Sequence, residues 1–295
     1  MLSQSRSRSI GVLVPSVTNH VFADVLAGII DEAAASDYRA MILHYGYDSL
    51  LEERCVATLL AHNIDGLVMS DRDHTPAALR MIGASGIDVV EIMDTRLPAL
   101  QQAVGYDNHA ASFEIVSEMI AAGHEKIVYF AVRLDERTRQ REEGYREAME
   151  HHGLTPITLE RAQKSSFTVG ATLMAELLET RPDTQGVFCT NDDVAVGASF
   201  ECRHRGAAIV DQVMIAGFHG LDVGQAMRPG LASVLTPRYR IGQVATRELL
   251  SRINGAEMES DVVDLGYTIV NLPRSGASET RKALASENPL VFTGG

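Results

Sequence analysis

The feature that most constrains this chain is a rhythm. Short runs rich in Val and Ile alternate with amphipathic stretches: 10–15 then 21–35, 40–44 then 50–61, 66–69 then 77–84, and 89–93. The order is β-α-β-α. Strands that are apolar throughout are buried on both faces, which requires helices on each side of a mostly parallel sheet. After 102–106 the pattern begins again, with a helix at 110–122, a strand at 127–131, helices at 137–151 and 170–179, a strand at 186–190, a helix at 194–204 and a strand at 213–218. The expected fold is therefore α/β, two similar doubly wound parallel-sheet lobes.

A length of 295 residues fits that division, because a single core rarely grows so large. The stretches near 106–109 and 236–238 are short and polar, so the lobes should be joined by tight crossings that act as a hinge. The expected partition is 9–107 with 237–259 for the first lobe and 108–236 with 260–272 for the second. Residues 1–8 are a linker and 273–295 an irregular tail. Ligands of open α/β sheets bind beyond the carboxyl ends of the strands, so two facing lobes place a ligand between them.

Several chemistries lack their minimal residues. The first strand runs into VPSVTNHVF with no glycine for a dinucleotide, and no phosphate-binding loop, serine-hydrolase elbow or paired-histidine zinc motif occurs. No cofactor or metal is expected. Three scattered cysteines suit a reducing cytoplasm, and no apolar run is long enough to cross a membrane. A formal charge of -13 would repel a phosphate backbone, so these lobes by themselves bind nucleic acid poorly.

What remains is a set of polar residues just past strand ends: Ser16 and Asn19, Tyr45, Ser70 and Asp94 in the first lobe, and Arg137, Arg141, Asn191, Asp192 and His219 in the second. Loops after strands are polar in any case, so the constellation carries more weight than its members. Asp192 and Asp193 open a helix, where capping and the helix dipole explain acidic residues.

From residue 9 to about 271 the text resembles the effector-binding and dimerisation region of the LacI-type bacterial transcriptional repressors. The matching motifs are SIGVLVPSVTNHVFADVLAGI, NIDGLVMS, RQREEGYREAM, VFCTNDDVAVGASF and VMIAGFHGLDVGQAMRPGLASVLTPR. HYGY, RLDERT, FEC and AGFHG are similar to the members that control gluconate utilisation. The resemblance implies a non-enzymatic homodimer that senses a sugar acid such as gluconate and reaches operator DNA through a headpiece not present in this sequence. It also implies that Leu2, eight positions before Ile10, is the minor-groove leucine of a hinge helix. In ligand binding it implies the carboxylate at Arg137 or Arg141, hydroxyl groups at Asp94, Asn191, His219, Ser16 and Ser70, and Phe22 packed on the ligand. One departure stands out: most relatives carry Asp where this chain has His219, and an imidazole can also donate a hydrogen bond or carry charge beside an anion. A periplasmic-type sugar-binding protein would share the fold and cleft. An enzyme using Asp94, Arg141 and His219 as an acid-base set is the third class.

Overall fold

The computed structural model describes residues 6–96 and 98–272. The first lobe contains β1 (Ser9–Val14), α1 (His20–Ala35), β2 (Arg39–His44), α2 (Ser49–Ala61), β3 (Gly66–Met69), α3 (Pro76–Ser85), β4 (Asp88–Ile92) and β5 (Gln102–Gly105). The second contains α4 (Asn108–Ala121), β6 (Ile127–Val132), α5 (Glu136–His151), β7 (Ile157–Arg161), α6 (Phe167–Thr180), β8 (Gly186–Cys189), α7 (Asp192–Arg205), α8 (Ala207–Gln212), β9 (Met214–His219), α9 (Asp222–Ala226) and β10 (Ala232–Leu235). The chain then returns to the first lobe for α10 (Arg238–Ile253) and β11 (Val262–Asp264), and ends the described part in the second with β12 (Thr268–Val270).

Each lobe holds a six-stranded sheet, ordered β11-β5-β4-β3-β1-β2 and β12-β10-β9-β8-β6-β7. Every pairing is parallel except that of β12 with β10. Two points differ from the sequence reading. Residues 262–264 pair with β5, so the third crossing falls between β11 and β12 rather than at 260. Strand β7 also stands between α5 and α6, where the pattern passes from helix to helix; it is a half-exposed edge strand, and its mixed ITLER text lacks the all-apolar signature of a central one. Leu2 and the tail from 273 lie outside the described residues.

Local chemistry explains why the helices begin where they do. The side chains of Asn19, Asp48, Thr75, Asp107, Asp135, Ser166 and Asn191 each accept a backbone N–H at the start of α1 to α7 in turn, meeting donors that the first helical turn leaves open. These caps all sit just past strand ends. Between α1 and α10 the contact is too close for side chains: a Cβ on Gly28 would lie 2.1 Å from the Tyr239 carbonyl oxygen, and one on Gly242 2.1 Å from that of Val25. This reciprocal fit seats α10 on the first lobe although it follows the second in sequence. One buried apolar cluster runs through both lobes, from Val14, Val68 and Ile92 to Tyr129, Phe188 and Phe218. Tyr106, at the first crossing, joins the halves by packing on Phe218 with ring centroids 6.0 Å apart.

Candidate effector site

The carboxyl ends of the two sheets face one another, and backbone strain gathers there. Met93, Arg133, Leu134 and His219, which end or immediately follow β4, β6 and β9, have positive φ, as does Tyr47 after β2. Side chains other than glycine rarely adopt this conformation, and where they do it is concentrated at functional sites.

The first-lobe candidates differ in availability. Ser16 shapes its own turn, its hydroxyl accepting from the backbone N–H groups of Thr18 and Asn19, each at 3.2 Å. Phe22 is buried, and the Arg137 guanidinium stands 6.0 Å from its ring centroid. Tyr45 lies behind the lip of the cleft in the apolar cluster around α2, donating its hydroxyl to Asp71 at 3.2 Å. Burial and the Asp71 carboxylate raise its pKa well above the usual phenol range. Ser70 is buried, and its carbonyl takes a short hydrogen bond from Arg137. Both oxygens of Asp94 are engaged. One accepts from the Arg96 backbone N–H at 3.0 Å; the other accepts from Gln140 at 2.8 Å and faces Arg72 at 3.9 Å.

The second lobe supplies the cations. Arg137 and Arg141 project one turn apart from the buried face of α5. Arg137 has anionic neighbours: burial opposes its charge, yet Asp135, 3.9 Å away, and Asp71 raise its pKa above the ordinary arginine value. Arg141 has none in contact. It is 1% exposed, donates twice to Asn108 Oδ1 at 3.0 Å and once to the Thr190 carbonyl at 2.6 Å, and its guanidinium carbon lies 3.9 Å from the centroid of the Phe218 ring. Among the described residues it forms no ion pair, and burial pulls its pKa below the ordinary value. Asn191 spends its carbonyl oxygen on capping α7 and is otherwise buried.

His219 meets Arg141 at 3.3 Å through Nε2 and Thr236 at 3.3 Å through Nδ1. Burial, then Arg141 and three further arginines, lower its pKa well below the usual imidazole value. The imidazole is therefore neutral here. Since Arg141 can only donate, Nε2 accepts and Nδ1 carries the proton toward Thr236. The charge that the sequence reading allowed at this position is disfavoured while Arg141 stands beside it.

Several contacts close the cleft. Arg137 reaches the Ser70 carbonyl and Gln140 reaches Asp94. Arg133 donates to the Tyr47 hydroxyl at 3.0 Å while lying over its ring, and Arg96 pairs with Glu143 at 2.8 Å. At the mouth a cavity of about 260 Å³ remains, lined on the first lobe by Ser16, His20 and Tyr47 and on the second by Lys164, Phe167 and Asp193. The strand-end rule did not single out Tyr47, Arg133, Gln140, Asn108 or Thr190. Tyr47 and Arg133 belong to the quoted HYGY and RLDERT segments, a legible signal; Gln140 and Asn108 are helical positions whose role appears only once α5 and α4 are packed.

Residues 7–270 match the family described as periplasmic binding proteins and sugar binding domain of LacI family. The chain is 47% identical over 269 residues to the HTH-type transcriptional regulator GntR of Escherichia coli K12, covering 91% of this chain and 81% of that protein. It belongs to the LacI family. The HTH-type regulator IdnR of the same organism, another LacI-family relative, is 43% identical over 270 residues, with 91% of this chain and 81% of IdnR covered. Among solved structures, transcription regulator GntR from Chromobacterium violaceum superposes with a TM-score of 0.86 at 31% identity, covering 89% of this chain and 97% of that one. This LacI-family chain thus shares its two-lobed fold and its sequence with transcription regulators. Among its described residues no helix is long and apolar enough to cross a membrane.

Proposed function

We propose that this chain is the effector-sensing and dimerising part of a cytoplasmic, non-catalytic transcriptional repressor whose effector is a sugar acid such as gluconate. The observation that carries this reading is Arg141, a buried guanidinium hydrogen-bonded to uncharged groups only. Desolvating a cation without a counter-charge costs several kcal/mol, and a ligand carboxylate that pairs with it, through the one N–H of Nη1 left over and by displacing a neutral acceptor, offsets that cost. Arg137 stands one turn away as a second cation; Asn191 offers its amide N–H groups to a hydroxyl, and His219 and Asp94 meet hydroxyls by exchanging their Thr236 and Gln140 contacts when the cleft opens. Ser16 lines the approach, Phe22 packs beside the Arg137 guanidinium, and Ser70 and Tyr45 support the first-lobe lip.

The wiring around Arg141 suggests how occupancy is transmitted. Asn108 opens α4 just past the first crossing; its Oδ1 accepts from Arg141 and its Nδ2 donates to the Met93 carbonyl at 3.1 Å. Arg238 opens α10 at the second crossing and donates to the His219 carbonyl while pairing with Asp24 at 2.7 Å. A ligand drawn to Arg141 and His219 therefore bears on both crossings. If it binds the closed cleft better than the open one, it shifts the lobes, and ligand and operator affinities become coupled in both directions. Operators are pairs of half-sites read by two-fold symmetric proteins, so the working unit is a homodimer.

The test is a thermal-shift panel of gluconate, 6-phosphogluconate, gluconolactone, glucose and ribose. Ligand at a hundred times its Kd stabilises by about 2.7 kcal/mol, which is roughly 5–11 °C at 2–4 °C per kcal/mol. The acids should shift the Tm and the neutral sugars should not. A shift with ribose or glucose and none with any acid overturns the effector assignment.

A further inference from the structure

Outside the cleft the most unusual cluster is a histidine buried between two glutamates. His74 lies in the loop from β3 to α3, its side chain only 1% exposed. Its Nδ1 meets Glu52 Oε2 of α2 at 3.0 Å, and its Nε2 stands 3.5 Å from Glu91 Oε1 of β4. Both glutamates are buried, with side chains 2% and 3% exposed. Two carboxylates out of reach of water need a proton or a cation between them, and His74 is the group placed to carry it. The next residue continues the tie: the Thr75 hydroxyl donates to Glu53 Oε2 at 2.7 Å and caps α3.

The position of this clamp gives it consequence. The loop it holds begins with Ser70, whose carbonyl accepts Arg137 across the cleft. Asp71 follows, accepting the Tyr45 hydroxyl, then Arg72, which donates to the Asp94 carbonyl at 3.1 Å. The first-lobe lip is thus pinned from beneath at His74 and used from above at Ser70. We infer that His74, clamped between Glu52 and Glu91, is a positioning residue for the effector cleft: it fixes the loop whose upper edge receives Arg137 on closure. This inference rests on the effector reading above in its affinity arm alone.

The groups around the clamp decide its pH behaviour. Glu52 and Glu53 face the loop from α2, while the nearby Cys55 thiol, whose pKa burial and then Glu52 push upward, turns to the His44 carbonyl. Glu91 faces it from β4, with Oε2 already accepting the Leu100 N–H at 2.6 Å. Asp71, Arg72 and Asp73 are neighbours in the loop itself, and Tyr45 reaches it from the end of β2. Burial alone would lower the His74 pKa, but the two glutamates outweigh it and raise it to about 9. A histidine raised in the folded state contributes stability that is complete below its unfolded value of 6.5 and is lost as pH rises through about 9.

The experiment compares wild type with His74→Gln by amide hydrogen exchange at pH 7 and by gluconate calorimetry from pH 7 to 10. In the variant, exchange at residues 70–75 should rise at least tenfold while the strands of the second lobe keep their protection. Wild-type affinity should weaken at least threefold above pH 9, and that of the variant should be lower at pH 7 and flat with pH. Unchanged loop protection, or affinity within twofold of wild type, overturns the inference. Glu91→Gln, which keeps an acceptor for the Leu100 N–H, gives the same readouts if His74→Gln does not fold, with the same expected direction. A wild type that ignores gluconate refutes the effector assignment only, and the exchange arm still judges the clamp.

Discussion

Replacing Arg141 by Met separates the two roles that a buried arginine can have. The methionine keeps most of the length and apolar volume over Phe218 but removes the charge and all donors. Three acceptors are left behind: Asn108 Oδ1, the Thr190 carbonyl and His219 Nε2. Each buried acceptor without a partner costs about 1–3 kcal/mol, so the loss is about 3–9 kcal/mol before relaxation. Against it stands the desolvation of an unpaired guanidinium, several kcal/mol in the wild type, which the substitution removes. The two nearly cancel, and the unliganded Tm should move by no more than about 4–8 °C, equivalent to about 2 kcal/mol. Effector binding has no such compensation. Truncating one partner of a buried charged pair costs about 2–5 kcal/mol, or roughly 30-fold to a few thousand-fold in Kd. Melting curves without ligand and calorimetry with gluconate measure the two effects separately. A variant that melts far lower yet, once folded, binds gluconate normally would show that Arg141 is a structural strut and refute the reasoning.

His219→Asp places a carboxylate beside Arg141, satisfying the guanidinium from within the protein. Gluconate affinity should fall tenfold or more while neutral sugars gain relative to it, as competitive calorimetry would reveal; equal gluconate affinity would show that the imidazole does not keep the arginine available. Asp192 is fully buried, with Ser233 and the Leu221 N–H donating to it, yet burial raises its pKa from 3.8 to about 7. A carboxyl raised on folding contributes stability that is complete below about pH 4 and lost as pH climbs through 7, a few kcal/mol at 1.36 per pKa unit. Asp192→Asn should therefore flatten the fall in Tm between pH 5 and 8, and an unchanged slope would assign that fall to other groups.

The two lobes and most helix starts are legible in the sequence because their causes are local. A run such as GVLV states that both faces are covered, and an Asn or Asp after such a run states that a helix is about to begin. Strand β7 was not legible, since an edge strand exposed on one side mixes Thr, Glu and Arg with its apolar residues. The third crossing was hidden for a similar reason: β11 and β12 have three residues each, too short for any period to register. Among the candidate residues, the strand-end rule located Arg137, Arg141, Asn191 and His219 together. It did not distinguish the engaged from the available, because Asp94 and Arg141 look equally polar as text, yet one has both oxygens occupied and the other lacks a counter-charge.

From the sequence alone come the strand-helix alternation of the two lobes, the doubly wound class and the LacI-type resemblance, all set by side-chain pattern along the chain. The tertiary structure decided the charge state of the site. Whether His219 is neutral, Arg141 unpaired or His74 clamped depends on groups many residues apart in sequence that meet only after two sheets close on each other. Electrostatic energy depends on distance and burial in space, and neither is written in the order of the residues.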